Sequence, residues 1–167
     1  GALAHRGAFA ADGASSDGAG ILLPLETPLL RLIAPGVVGD PGVFMLFLPR
    51  DANGDAAARE LLAQAIAAEG LIGRDARATL PTVVQAVVSA PSGTPRADLE
   101  QRLLLARRRA EIAADAVGLD GFAVASASSR TIAYKGLVAG ERLGALYPDL
   151  LTEMALSHAV FHQRYAT

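Results

Sequence analysis

The chain of 167 residues contains no cysteine and no tryptophan. Without cysteine it has no disulfide bond, no thiolate metal site and no cysteine nucleophile of its own. The charges nearly balance, with 15 Lys and Arg against 17 Asp and Glu. This balance argues against a dedicated nucleic-acid-binding protein, which would normally be basic. Apolar residues make up 51% and charged residues 19%, a globular composition that fits one domain over residues 1–167.

Long apolar runs are also absent from the sequence. No stretch of about eighteen consecutive apolar residues occurs, so no transmembrane helix is expected. Residues 1–6 are not followed by the apolar segment of a signal peptide. We therefore expect a cytoplasmic protein whose partners include neither a membrane nor a nucleic acid. Lys135 is the single lysine, and the excess of arginine and alanine is usual for a GC-rich bacterial genome.

Apolar periodicity predicts two long helices. One covers residues 55–69 and is ended by Gly70; the other begins at Thr94 and Pro95 and ends at Gly118. In the second helix, apolar residues spaced by three or four predict one buried stripe. These are Leu99, Leu103, Ala106, Ala110, Ala113 and Val117. Shorter helices are predicted at residues 28–34 and 140–146.

Short β-branched or apolar segments predict strands at residues 42–48, 82–88, 122–127, 131–135 and 159–166. Ser128, Ser129 and Arg130 are typical of a hairpin turn between the third and fourth of these strands. Segments rich in Gly, Pro, Asp or Asn predict loops at residues 11–20, 34–42, 49–55, 70–77 and 90–95. Buried strands with helices between them indicate a layered α/β or α+β domain.

Three motifs have both a functional and a structural interpretation. Residues 13–20 are rich in glycine but lack the Gly-Lys-Ser/Thr ending of a phosphate-binding loop, so a tight turn is favoured over a nucleotide site. His158 and His162 have the spacing of zinc ligands on a helix. Ala159 stands where a zinc protease has glutamate, so a packed or surface histidine pair is favoured and no metal site is predicted.

The third motif is the basic group of Arg102 and residues 107–109 on the second long helix. Acidic residues lie within a turn or two, which favours a solvated face with local ion pairs. An RNA-binding face is the weaker alternative, since no aromatic residues are interleaved. No serine lies in a Gly-x-Ser-x-Gly context, so a serine hydrolase is not supported.

An ordered set of sequence blocks resembles the amidotransferase domain of the glutamate synthase large subunit, a class II, N-terminal-nucleophile glutaminase. The blocks span the chain in the family's order. They are His5-Arg6-Gly7-Ala8, Asp17-Gly18-Ala19-Gly20-Ile21-Leu22, Met45-Leu46-Phe47-Leu48-Pro49, Ala78-Thr79-Leu80-Pro81, Leu105-Ala106-Arg107-Arg108, Tyr134-Lys135-Gly136-Leu137, Leu146-Tyr147-Pro148-Asp149-Leu150 and Phe161-His162-Gln163-Arg164-Tyr165-Ala166-Thr167.

The resemblance implies a fold and a reaction. The implied fold is an α+β, four-layer αββα sandwich of the N-terminal-nucleophile hydrolase type, partial in this chain. In the family an N-terminal cysteine attacks the side-chain amide of L-glutamine, ammonia leaves, and water frees glutamate from the thioester. The ammonia then aminates 2-oxoglutarate in the rest of the enzyme. FMN, an iron–sulfur cluster and NADPH or ferredoxin are implied only for those remaining domains or subunits, and none for this chain.

The resemblance also assigns roles to single residues. Arg6 is expected to support the nucleophile, and Asp17 and Gly18 to form a structural turn beside the site. Arg164 and Thr167 are expected to bind glutamine, since a guanidinium suits the α-carboxylate and a hydroxyl can orient polar groups.

The sequence departs from the family at its ends and in one internal segment. The N-terminal cysteine and the Asn-Gly pair expected beyond Thr167 are missing, and Asn53-Gly54 is not that pair because it precedes a predicted helix. The region of residues 71–74 also looks shorter than the family's. We therefore expect this chain alone to be inactive. The alternative is a degenerate amidotransferase-like module that binds or docks without catalysis.

Overall fold

The computed structural model of the chain describes residues 15–37 and 39–163. Seven strands and four α-helices lie within them. The strands are β1 (Ser15–Pro24), β2 (Gly42–Phe47), β3 (Ile72–Leu80), β4 (Val83–Ser89), β5 (Ala123–Ser128), β6 (Thr131–Val138) and β7 (Val160–His162). The helices are α1 (Thr27–Ile33), α2 (Ala52–Ala68), α3 (Arg96–Ala116) and α4 (Leu143–Leu146), with 3₁₀ turns at Gly140–Arg142 and Pro148–Leu151.

The strands form two antiparallel sheets, in the orders β6-β1-β7 and β3-β4-β2-β5. Helices α2 and α3 pack on one face of the four-stranded sheet, and the three-stranded sheet packs on the other. The described residues thus form a helix–sheet–sheet arrangement, consistent with the predicted partial αββα sandwich. Every helix in this part of the chain is too short or too polar to span a lipid bilayer.

Strand β2 is buried on both faces, as its unbroken apolar sequence predicts. Because side chains alternate along a strand, Phe44 and Leu46 join the core beneath α2 and α3. Val43 and Met45 join the core between the sheets. Strand β4 alternates in the same way, so both cores share the same two central strands.

The long helices agree with the sequence prediction, apart from their ends. Helix α2 begins three residues early because Asp51 caps it, with Oδ1 accepting a hydrogen bond from the Gly54 N–H at 2.7 Å. On α3 the predicted stripe is buried from Leu99 through Ala110. The prediction is wrong beyond that point: Ala114 is the buried residue, and Val117 is exposed beyond the helix end. The predicted short helices correspond to α1 and to a 3₁₀ turn followed by α4.

Two predicted loops are strands instead. Residues 70–77 contain most of β3, an edge strand whose side chains are largely exposed and therefore lack the alternation that marks a strand. Residues 15–20 belong to β1, so Asp17 and Gly18 lie within a strand and not in a turn. Gly18 has φ of 107°, and the pairing of β1 with β6 shifts register between Ser15 and Ala19. The glycine signal therefore marks a bulge-like irregularity.

The predicted hairpin at Ser128, Ser129 and Arg130 is also wrong, because β5 and β6 belong to different sheets. This turn carries the chain from one sheet to the other. Helix α3 holds it: the Glu100 carboxylate accepts hydrogen bonds from Ser128 Oγ (3.0 Å) and from the Ser129 N–H, and Arg96 donates to the Ser129 carbonyl (2.7 Å).

Candidate functional site

A cavity of about 370 Å³ opens where the three-stranded sheet meets the edge strand β5 of the other sheet. It is lined by β1, β5, β6 and β7, with Arg107 of α3 at its margin. The lining consists of residues 20–22, 107, 125–128, 131, 133–135 and 160–162. All four strands contribute to one concave surface, which makes the cavity the candidate functional site.

The charges in this lining have one sign. Arg107 and Lys135 contribute cationic groups, and none of the described residues that line the cavity is Asp or Glu. Arg107 also pairs with Glu111, whose Oε1 lies 2.9 Å from Arg107 Nε. A cavity with this lining favours an anionic group such as a carboxylate.

The wall formed by β1 and β7 depends on a glycine. Gly20 pairs with His162, and a Cβ added at Gly20 would lie 2.5 Å from His162 Cε1 and 3.1 Å from the Tyr134 carbonyl oxygen. A side chain at this position would push the imidazole or the strand away. Gly20 therefore allows the close approach that shapes this wall.

Behind Tyr134 lies a polar group that we call the Asp149 cluster, consisting of the buried residues Gln85, Tyr134 and Asp149 and the half-buried Arg77. Asp149 Oδ2 accepts hydrogen bonds from Arg77 Nη2 (2.6 Å), Gln85 Nε2 (3.0 Å) and Tyr134 Oη (3.0 Å). Arg77 Nη2 also donates to Gln85 Oε1 at 2.6 Å. The cluster joins β3, β4, β6 and the 3₁₀ turn at Pro148–Leu151.

The two buried tyrosines beside this cluster have raised pKa values. Burial raises the pKa of Tyr134, and the negative charge of Asp149 raises it further. Burial raises the pKa of Tyr147 to about 12. Its hydroxyl donates to the Lys135 carbonyl at 2.7 Å. The rings make an edge-to-face contact with centroids 5.1 Å apart. Both hydroxyls therefore stay neutral near pH 7.

The sequence-predicted site residues are only partly within the described residues. Arg6, Arg164 and Thr167 lie outside them. Gly18 is buried in β1, near the start of the strand that supplies Gly20 to the cavity. Asp17 is in the same strand. His162 lines the cavity and lies two residues before Arg164.

The histidine pair does not have the helical geometry of the zinc motif. His158 lies in the irregular segment before β7, and His162 lies in β7. Ser157 Oγ lies 2.9 Å from His158 Nδ1. Within residues 15–37 and 39–163, no cluster of three or more His, Cys, Asp or Glu side chains is arranged to hold a metal ion.

The basic group on α3 makes local ion pairs, as predicted. Arg107 and Arg108 both pair with Glu111, and Arg109 pairs with Glu69, the residue that follows α2. Arg102 donates to the Glu69 carbonyl at 3.1 Å. These guanidinium groups are therefore engaged by the protein itself.

The sequence reasoning missed the Asp149 cluster. Asp149 contacts residues 64 and 72 positions away along the chain, so no local spacing reveals the group. The available signal was an aspartate within the apolar block Leu146-Tyr147-Pro148-Asp149-Leu150, where a charge needs a buried partner.

Comparison with known proteins decides the family. The sequence profile described as "Glutamine amidotransferases class-II" matches residues 1–167. The chain belongs to the class II glutamine amidotransferases. It is similar to the large chain of the NADPH glutamate synthase of Azospirillum brasilense, with 34% identity over 188 residues, 99% of this chain and 12% of that protein.

Further relatives of this amidotransferase chain have the same coverage. The chloroplastic ferredoxin-dependent glutamate synthase of Oryza sativa subsp. japonica is 33% identical over 189 residues, 100% of this chain and 12% of that protein. Ferredoxin-dependent glutamate synthase 2 of Synechocystis sp. is 33% identical over 188 residues, again 100% and 12%. The chain thus spans about an eighth of the length of these relatives. They include plant and bacterial proteins, so a bacterial source stays a prediction.

Proposed function

We propose that this chain is part of the glutaminase domain of a glutamate synthase, which hydrolyses L-glutamine to glutamate and supplies ammonia for the amination of 2-oxoglutarate. The observation that carries the proposal is the match of the family profile to the whole chain. The similarity to glutamate synthases also extends over essentially the whole chain. It supports a glutamate synthase as the parent enzyme within that family.

The cavity supports a ligand with a carboxylate. Lys135 supplies positive charge, Arg107 lies in the same lining while paired with Glu111, and β7 leads into the segment that contains Arg164 and Thr167. In this proposal Arg164 binds the α-carboxylate of glutamine and Thr167 orients its polar groups. Arg6 supports the nucleophile.

Glutaminase chemistry of this class needs a thiolate, and the 167 residues include no cysteine. A thiolate adds to the amide carbon, the C–N bond breaks as ammonia leaves with a proton, and water hydrolyses the thioester to glutamate. No hydroxyl in the cavity lining replaces the thiolate in this proposal. The 167-residue polypeptide alone is therefore inactive, and the thiol belongs to the longer protein.

The remaining domains or subunits of a glutamate synthase are the proposed partners. FMN and NADPH or ferredoxin belong, in this proposal, to those parts. An iron–sulfur cluster does not fit this chain, because such clusters are held chiefly by cysteine thiolates. A cytoplasmic location stays a prediction, since several relatives are named as chloroplastic.

The test compares two proteins with the same assay. The complete natural polypeptide that contains residues 1–167 is expected to release ammonia and glutamate from glutamine, whereas the 167-residue chain is expected to release none above buffer. In the complete polypeptide, Arg164→Ala is expected to raise the KM for glutamine at least tenfold. Lack of glutamine hydrolysis by the complete polypeptide would refute the proposal.

The absence of cysteine also favours a second candidate, a degenerate module that binds glutamine or docks on a synthase without catalysis. Calorimetry separates the two functions. Micromolar glutamine binding by a complete polypeptide that fails to hydrolyse it would support the binding module. Turnover would exclude it.

A further inference from the structure

The segment that leads to the cavity wall has few buried contacts. From Leu150 through Gln163 every residue is exposed or half-buried, and β7 itself is exposed at all three positions. Asp149, at 5% exposure, is the last fully buried residue before this segment. Asp149 is therefore the last point before β7 at which the chain is anchored by a buried residue.

Only a few described contacts hold the segment beyond Asp149. Leu150, Met154 and Leu156 pack partly against the core between the sheets. Ser157 bonds to the Glu26 carboxylate through its N–H (3.1 Å) and its hydroxyl. Strand β7 then pairs with β1 over three residues. Each of these contacts is exposed or half-buried, whereas Asp149 is buried and receives three donors, of which Gln85 and Tyr134 are buried and Arg77 is half-buried.

The donors to Asp149 come from three different strands. Arg77 lies on β3, Gln85 on β4 and Tyr134 on β6, so the carboxylate is fixed relative to both sheets at once. Tyr134 also lines the cavity. The same hydrogen-bonded group therefore contacts the cavity and anchors the start of the segment that returns to it as β7.

We propose that Asp149 is a positioning residue that fixes residues 150–163 and so holds β7 and His162 against the cavity. Its consequence for catalysis rests on the proposed function, which assigns glutamine binding to Arg164 and Thr167, the residues that follow β7 in the sequence. A buried carboxylate suits this role because its loss leaves three donors without their acceptor, which favours one chain path over others.

Hydrogen exchange on the folded protein tests the positioning directly. Asp149→Asn keeps the shape but removes the charge. Amides of residues 150–162 are expected to exchange at least tenfold faster, while amides of the buried stripe of α3, residues 99–114, are unchanged. Asp55→Asn is the matched control, because it removes a carboxylate whose ion pair with Arg59 is exposed, and it is expected to change neither set.

A purely structural role predicts a different pattern. If Asp149→Asn only lowers global stability, both sets of amides accelerate together, and the proposal is overturned; unchanged exchange overturns it as well. Should Asp149→Asn fail to fold, Tyr134→Phe removes one donor and keeps the carboxylate. In that variant the amides of residues 150–162 are expected to exchange faster, by less than in Asp149→Asn, while those of residues 99–114 are unchanged. An acceleration of both sets, or of neither, overturns the proposal.

Glutamine kinetics of the complete polypeptide then test the link to catalysis. Asp149→Asn is expected to raise the KM for glutamine about tenfold with kcat within twofold, because binding and not the nucleophile is affected. An unchanged KM in an active enzyme overturns the link. If the wild-type enzyme does not hydrolyse glutamine, the proposed function is refuted instead. The hydrogen-exchange result alone then decides whether Asp149 positions residues 150–163.

Discussion

Tyr134 and Tyr147 are fully buried, yet each keeps its hydroxyl hydrogen-bonded inside the protein. A tyrosine is tolerated in a core when its apolar ring is packed and its hydroxyl has a partner. Here one hydroxyl donates to a carboxylate and the other to a backbone carbonyl. The same burial that packs the rings disfavours their ionisation, so these residues couple stability to alkaline pH.

The coupling has a defined sign. In the unfolded chain a tyrosine loses its proton near pH 10, whereas burial raises the pKa of Tyr147 to about 12 in the folded protein. Above pH 10 the folded state therefore binds more protons than the unfolded state, and its stability falls as pH rises. We expect the free energy of unfolding to fall by about 1.4 kcal/mol per pH unit for each such tyrosine.

Urea denaturation between pH 8 and pH 11.5 measures this slope. Tyr147→Phe is expected to reduce this slope by the contribution of one tyrosine. At pH 8 the variant is expected to lose about 0.5–1.5 kcal/mol through the missing hydrogen bond to the Lys135 carbonyl. A Tyr147→Phe slope equal to that of the wild type would mean that Tyr147 ionises equally in both states.

Helix α2 shows how one side chain sets the start of an element. The Asp51 carboxylate accepts the Gly54 N–H, one of the donors left unpaired at a helix N-terminus. Asp51 is itself exposed, so its contribution comes from capping and not from burial.

Removing the cap is expected to destabilise the protein by a predictable amount. Asp51→Ala is expected to lower the free energy of unfolding by about 1 kcal/mol. Glu60→Ala serves as control: it removes a carboxylate on the same helix that only accepts from exposed Gln64, and it is expected to change stability by less than about 0.5 kcal/mol. Equal effects of the two variants in thermal or urea unfolding would exclude capping as the cause.

Elements were predictable from the sequence where local pattern and environment agree. In strand β2 and in the first part of α3, the spacing of the apolar residues predicts which side chains are buried. In strand β3 it does not, because an exposed edge strand can contain Gly, Arg and Asp at successive positions. A local sequence pattern also does not predict which strands pair within a sheet. The sequence of Ser128–Arg130 is typical of a hairpin turn, but this turn connects two different sheets.

Site residues could be predicted only through resemblance, and none of the predicted ones is among the described residues that line the cavity. The predicted residues Arg6, Arg164 and Thr167 lie outside the described residues, so their roles stay predictions. The cavity and the Asp149 cluster are built from strands far apart in the chain, and no spacing rule brings them together. Sequence periodicity reports which face of an element is buried, not which distant side chain it meets.

At the scale of the whole molecule, the two hydrophobic cores are coupled through the strands they share. One core lies between the four-stranded sheet and the long helices, the other between the two sheets. Strands β2 and β4 contribute alternate side chains to both. Loss of either core therefore displaces strands that the other needs, and the described part of the chain is expected to unfold as one unit.

Leu103→Ala tests this coupling. Leu103 is fully buried on α3, and its methyl carbons lie within 2.7 Å of where a Cβ on Gly42 would be, so truncation is expected to cost about 2–5 kcal/mol. Far-UV circular dichroism follows the helices, and near-UV circular dichroism follows tyrosines in the other core. Both urea midpoints are expected to fall together, whereas Leu104→Ala, at an exposed neighbour, is expected to move neither. A Leu103→Ala midpoint that falls only in the far-UV signal would show that the core between the sheets is stable without the helical layer.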